Sequence, residues 1–224
     1  MNYSLIFSCE HAGNQVPDEF QSLFNPHTEV LHSHRGWDPG AWLLATFLSQ
    51  QLDAPLFGCH TTRLLIEPNR SLDNGQLFSE FTDSLSQEIK EKLVQEIYYP
   101  YREKLQMTLK KLTPPILHLS IHSFTPIWNQ QERKTDIGIL FDPSRELESS
   151  FSKQLKINLT HNFPGFQIDF NEPYKGTDDG FTTWLRRQYS DKEYAGIEIE
   201  VNQKFASNLS AISTAFVKSI ETIR

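Results

Sequence analysis

Short apolar runs alternate along the chain with longer stretches whose apolar residues recur every three or four positions. This spacing predicts strands over residues 3–9, 54–60, 116–124, 136–142, 165–170 and 195–202, with a further short one at 64–66. It predicts helices over 40–52, 86–112, 144–161, 181–189 and 207–222. Pro100 should kink or split the second helix, because its ring removes an N–H and crowds the preceding turn. The run "ILHLSIHSF" is almost continuously apolar, as in a central strand covered on both faces. Strand and helix recur in turn, so the expected fold is α/β, a three-layer α/β/α sandwich around a mostly parallel or mixed sheet, like those of phosphorylases and hydrolases. No repeat, low-complexity segment or linker interrupts the pattern, and one domain over residues 1–224 is expected.

Polar residues break this pattern at the strand ends. In open α/β sheets ligands bind beyond the carboxyl ends of the strands. The first strand runs into Glu10 and His11, the central one carries His122, and the last carries Glu198 and Glu200. A spacing of two puts both late glutamates on one face, with Ile197, Ile199 and Val201 on the other. An unpartnered buried carboxylate is costly, so "GIEIEVN" calls either for an exposed face on an edge strand or, as favoured here by the apolar residues around the acids, for a cation or a basic side chain opposite it. Two imidazoles with one carboxylate are a common ligand set for a catalytic zinc. His11 and His122 are the imidazoles favoured here. Asp38, Glu10 and the late glutamates are open as the third ligand, and His32 and His34 are alternates. Asp38, followed by Pro39, also reads as a helix N-cap. Asp178 and Asp179 read as caps of the helix after Gly180.

The formal net charge of −7 argues against a nucleic-acid partner, whose contact surface is usually basic. It leaves room for a local basic pocket, for which Arg63 and Arg70 in "TTRLLIEPNR" are candidates. Arginine can grip a carboxylate through two parallel hydrogen bonds. Pairing with Glu67 or Asp73 is the structural alternative. Neither a phosphate-cradling GxxxxGK[ST] nor a GxSxG serine elbow occurs. Cys9 and Cys59 form no CxxC and read as free thiols of a reducing cytosol. The start "MNYSLIF" lacks the basic and long apolar regions of a signal peptide, and no apolar run has the ~18–20 residues needed to span a bilayer. A cytoplasmic protein without membrane contact is expected. Its oligomeric state is not legible.

The segments "SCEHAGNQVP", "HRGWDPGA", "TRLLIEPNRS", "HSFTP", "DIGILFD", "PYKG" and "GIEIEVNQ", in that order, resemble the N-formylglutamate amidohydrolase family over nearly the whole chain. That family is similar to the zinc-dependent carboxypeptidases and aspartoacylases. The resemblance implies a metal-dependent amidohydrolase that cleaves an N-acyl, most simply N-formyl, acidic amino acid such as N-formylglutamate. It implies zinc on His11, Asp38 and His122, with Glu200 as general base and Glu198 behind it. Where the wider group has the glutamate of an H-x-x-E motif, this chain has Asn14, so the carboxylate ligand moves to Asp38. Asn69 and Arg70 match a substrate-holding Asn-Arg pair, and Arg70 or Arg63 would also steady the oxyanion. Asn14, Tyr101, Arg102, Tyr174 and Lys175 would complete the pocket. The competing expectation is a non-catalytic zinc- or anion-binding module that has kept the fold.

Overall fold

A computed structural model describes residues 3–223. Six strands form one mixed sheet in the order β2-β1-β3-β8-β6-β7: β1 (Ser4–Cys9), β2 (Leu56–Gly58), β3 (Ile116–Phe124), β6 (Ile137–Leu140), β7 (Ile168–Phe170) and β8 (Tyr194–Asn202). Strands β4 (Ile127–Trp128) and β5 (Gln131–Glu132) make a separate two-strand ribbon. β1, β2, β3 and β8 are mutually parallel, and β6 runs antiparallel to β8. From β1 the chain passes to β2 on one side and later to β3 on the other. The carboxyl ends of β1 and β3 therefore flank the switch point at which open α/β sheets bind ligands.

The two faces of the sheet differ in chemistry. On one face Leu5, Phe7, Leu117, Leu119, Ile121, Ile197 and Ile199 pack against α3 (Ala41–Leu52), α6 (Glu146–Asn162) and α8 (Ser210–Glu221). Each fully buried side chain of this size stabilises the fold by about 1.5–3 kcal/mol. On the other face Ile6, Ile116 and Tyr194 pack against α5 (Tyr99–Leu109) and α7 (Phe181–Arg186). Toward the carboxyl ends that face turns polar, through Ser8, Glu10, His118, Ser120, His122, Glu198 and Glu200. All nine residues of β3 are buried, as expected of a central strand. The period-two alternation of His118, Ser120 and His122 with Leu119 and Ile121 is what sends the polar groups to one side.

Several local expectations are corrected. Residues 64–66 form no strand. They fold into a buried turn, with Leu65 N–H donating to the Thr62 carbonyl, and pack with Phe20, Phe24, Leu77 and Tyr98. The early loop contains one-turn helices α1 (Gln21–Phe24) and α2 (Thr28–Leu31). The 86–112 helix, by contrast, is divided as its proline predicts, into α4 (Gln87–Leu93), a π-helical turn (Val94–Tyr98) and α5, with the π turn just ahead of Pro100. Asp38 does not cap α3. The segment Asp38-Pro39-Gly40-Ala41 is a turn closed by Ala41 N–H on the Asp38 carbonyl, with Gly40 at φ 85°. Proline second and a positive-φ glycine third are the signature of a type II turn. That turn frees the Asp38 carboxylate to face the sheet. Asp178 and Asp179 do not cap α7 either, because Phe181 N–H donates instead to Asn69 Oδ1 at 2.7 Å. Among the described residues no helix is long and apolar enough to cross a membrane.

Candidate active site

His11 follows β1, His122 lies near the end of β3, and Asp38 leaves the turn before α3. Asp38 N–H donates to the His11 carbonyl at 3.1 Å, which pins the turn beside β1. Asp38 Oδ2 then lies 3.2 Å from His11 Nδ1 and 2.9 Å from His122 Nδ1. Ser123 N–H also donates to that oxygen at 3.3 Å. The three residues are buried, and one ligand atom from each lies within 4.8 Å of the others.

Both rings are held from behind. His11 Nε2 is 2.6 Å from Glu67 Oε1, and Glu67 Oε2 takes Arg63 Nε at 2.7 Å. His122 Nε2 lies 3.1 Å from Glu10 Oε2 and 3.0 Å from Ser120 Oγ. Glu10 is fixed in turn by Ser120 Oγ at 2.5 Å and Tyr101 Oη at 2.7 Å. Carboxylates on the far nitrogens orient both Nδ1 atoms toward Asp38, as outer-shell partners of metal-binding histidines do.

The charge balance indicates what the site accepts. Burial alone would raise the pKa of Asp38, but His11 and His122 hold it well below the usual carboxylate range. Burial would likewise raise Glu10 and Glu67. His122, His118 and Ser120 depress the first, and Arg63, His11 and Arg70 the second. Burial would lower His122, yet Asp38 and Glu10 push it well above its ordinary value. The site therefore holds three ionised carboxylates, Asp38, Glu10 and Glu67, packed against the two imidazoles. Two imidazole nitrogens and a carboxylate oxygen, oriented from behind, fit a divalent ion there, and the His11–Asp38–His122 group can hold one.

Glu200 pairs in register with His122 across β3 and β8, and so lies on the same face. It is 5% exposed, and its Oε2 has no hydrogen-bond partner among the described residues. Burial pushes its pKa up to about 8, with the charges of Asp38 and Glu198 adding and those of His122 and Arg63 opposing. Antiparallel to it, Gly138 leaves room where a Cβ would stand 2.1 Å from the Glu172 carbonyl oxygen and 3.2 Å from Glu200 Cβ. Glu198, the other late glutamate, accepts from Thr182 Oγ1 at 2.5 Å.

A cavity of about 730 Å³ opens onto this group, and His11, Asp38, Arg63, Asn69, Arg70, His122 and Glu200 all line it. Arg63 is engaged by Glu67, with Nη2 at 2.5 Å, and lies 3.6 Å from Asp38, so it takes the structural alternative rather than standing free as a clamp. Arg70 pairs with no carboxylate side chain within ion-pair distance among the described residues. Its Nη1 donates to the backbone carbonyls of Asn69 and Asp179, at 3.1 and 2.8 Å. Tyr174 and Lys175 line the cavity as well.

Asn14, Tyr101 and Arg102 are not brought into the cavity. Asn14 donates to the Leu31 carbonyl at 3.1 Å and meets His32 at 2.9 Å. Tyr101 is buried behind Glu10. Arg102 lies under Arg70, donating to its carbonyl at 3.0 Å, with its guanidinium over Phe181 and Tyr98. His32 stays with Asn14, whereas His34 stands on the cavity rim. Glu67 was visible in sequence only as an arginine partner. Its bond to His11 spans 56 positions and has no local signal.

Residues 3–206 of the chain match the family model for N-formylglutamate amidohydrolase. The structure is similar to that of gene product Atu2144 from Agrobacterium tumefaciens, with a TM-score of 0.80 at 21% identity, covering 99% of this chain and 92% of that one. It is also similar to the crystal structure of N-formylglutamate amidohydrolase from Ralstonia eutropha JMP134. There the TM-score is 0.71 at 16% identity, with 99% and 94% of the two chains covered. At these identities the likeness is one of fold. No curated protein matches the chain in sequence.

Proposed function

The chain belongs to the N-formylglutamate amidohydrolase family, and from that membership we propose a zinc-dependent hydrolase that cleaves the amide C–N bond of an N-acyl acidic amino acid, N-formylglutamate being the simplest case. The observation that carries this reading is the unpartnered Oε2 of Glu200 on the same cavity wall as His11, Asp38 and His122. A divalent ion held by those three side chains would supply Lewis-acid chemistry, acidifying water and polarising a carbonyl. The chain's own groups account for the rest. Glu200 Oε2 accepts the proton of the attacking water and returns it to the departing amine nitrogen. Its raised pKa suits a group that must both take and give a proton near neutrality.

Arg70 holds the substrate carboxylate with the donors that its backbone contacts leave over. Asn69 Oδ1 is occupied by Phe181, so Nδ2 is the atom that meets substrate. Glu10 and Glu67 keep both imidazoles in the tautomer that presents Nδ1. The substrate is a small acidic molecule, without a nucleic-acid or membrane partner, and the chain is read as one domain. The two buried free thiols, Cys9 and Cys59, suit a reducing cytosol.

The test is Glu200→Gln. Zinc content, measured by elemental analysis, should stay near that of the wild type, while formate release from N-formylglutamate falls by a factor of about 10²–10⁴, the range of general-base contributions. Near-normal turnover removes Glu200 from the chemistry. A wild-type protein that binds zinc but hydrolyses no N-acyl amino acid is a binding module instead.

A further inference from the structure

The cavity carries a second feature, which the chemistry above does not use. Its volume of about 730 Å³ lies within the roughly 300–1,000 Å³ of sites that enclose drug-sized ligands. N-formylglutamate has only about twelve non-hydrogen atoms, few for such a space. Part of the wall is aromatic. Trp128 and Tyr174 both line the cavity, yet they are 50% and 41% exposed, so much of each ring is uncovered.

These two rings come from separate segments and are joined by one cation. The Arg133 guanidinium lies 5.3 Å from the Trp128 ring centroid, 5.1 Å from that of Tyr174 and 5.6 Å from that of Phe124. It also donates to Tyr174 Oη at 3.2 Å and to the Thr125 carbonyl at 3.4 Å. The His34 ring packs edge-on to Trp128 with centroids 6.4 Å apart. Trp128 ends β4, and Asn129 and Gln130 join it to β5 at φ 49° and 63°. Two left-handed residues are what a two-residue type I′ hairpin requires, so the ring is carried on a tight, defined turn. Of the other apolar residues that line the cavity, Leu64 and Phe124 are buried and Phe78 packs against the Leu65 and Leu93 cluster with Lys90 over its ring, while Arg35 and Glu80 line it and pair with each other.

We propose that Trp128 and Tyr174 form an aromatic shelf that binds a planar, apolar acyl group, so that the substrates of this chain include N-aroyl acidic amino acids. This rests on the reading above for the amide chemistry and for the hold of Arg70 on the carboxylate. With the carboxylate at Arg70 and the amide beside Glu200, the acyl group is the remaining part of the substrate, and Trp128 and Tyr174 are the exposed large apolar side chains of the cavity lining that can receive it.

The experiment compares kcat/KM for N-benzoyl-L-glutamate and N-formyl-L-glutamate in the zinc-loaded wild type, Trp128→Ala and Trp128→Phe. The benzoyl-to-formyl ratio should drop about tenfold in Trp128→Ala, the scale of one lost aromatic contact, and recover largely in Trp128→Phe. A ratio within twofold of wild type in Trp128→Ala overturns the shelf. If wild type hydrolyses neither compound, the amidohydrolase reading fails, and calorimetric titration of N-benzoylglutamate still decides the shelf. Binding about tenfold weaker in Trp128→Ala supports it, whereas equal affinity, or no binding by wild type, overturns it.

Discussion

Replacing Glu67 by Gln keeps the shape of the side chain and removes one negative charge from behind His11. Glu67 Oε1 accepts from His11 Nε2 at 2.6 Å and from Asn69 N–H at 2.9 Å. Oε2 accepts from Arg63 Nε at 2.7 Å. A glutamine can still accept through one atom, but the other becomes an NH2 that meets the Arg63 guanidinium donor to donor. Arg63 then keeps Asp38 as its acidic neighbour, 3.6 Å away, and its pull competes with a metal for that carboxylate. Loss of an outer-shell carboxylate typically weakens metal binding by about 10–100-fold, equivalent to about 1.4–2.7 kcal/mol. The assay is a zinc competition titration against a chromophoric chelator at fixed pH and ionic strength, with urea unfolding of the metal-free protein as the control for folding. A zinc Kd within twofold of wild type in a folded Glu67→Gln protein would refute the idea that Glu67 sets the basicity and aim of His11.

Arg70→Ala should raise KM for an acidic substrate by tenfold or more, the loss of a charged hydrogen-bond pair of about 1.5–3 kcal/mol, with a smaller change in kcat. An unchanged KM ends its role as carboxylate clamp. A third prediction concerns stability against acid. Burial pushes the His118 pKa down from 6.5 to about 4, because its ring is closed in between Ser8 Oγ and Tyr194 Oη, each at 2.7 Å. Between those two pH values the unfolded chain binds a proton there that the folded chain does not. This site therefore weakens the fold as pH falls from about 6.5 to 4, by about 3 kcal/mol in all. Urea midpoints measured across that window should fall less steeply in His118→Gln than in wild type, and parallel curves would assign the acid sensitivity elsewhere.

Much of the architecture was written locally. The long buried strand β3 and the amphipathic α3 follow from the spacing of a few adjacent residues, because strand and helix periods are local properties of the backbone. The separated motifs also pointed to His11, His122 and Glu200 as one group, since residues at the carboxyl ends of strands are carried to the same rim of a sheet. The spacing of Glu198 and Glu200 was readable too, and it marks the face on which the site is built. Where local reading failed, a distant partner had won. Asp38 and Asp179 look like helix caps, yet the first is claimed by His11 and His122, and the second by Ser71 and Asn74. Tyr101 looks like a pocket residue, yet it lies behind Glu10.

Local patterning thus set the alternation of elements, the two faces of the last strand, and the kinds of side chain available at the strand ends. Folding alone settles which carboxylate meets which imidazole, that Arg63 is engaged while Arg70 has no carboxylate side-chain partner among the described residues, and that Trp128 and Tyr174 line one cavity. The reason is physical: hydrogen bonds and ion pairs act over about 3–4 Å, and residues 27 to 85 positions apart reach that distance here only once the sheet has brought their strands and loops together.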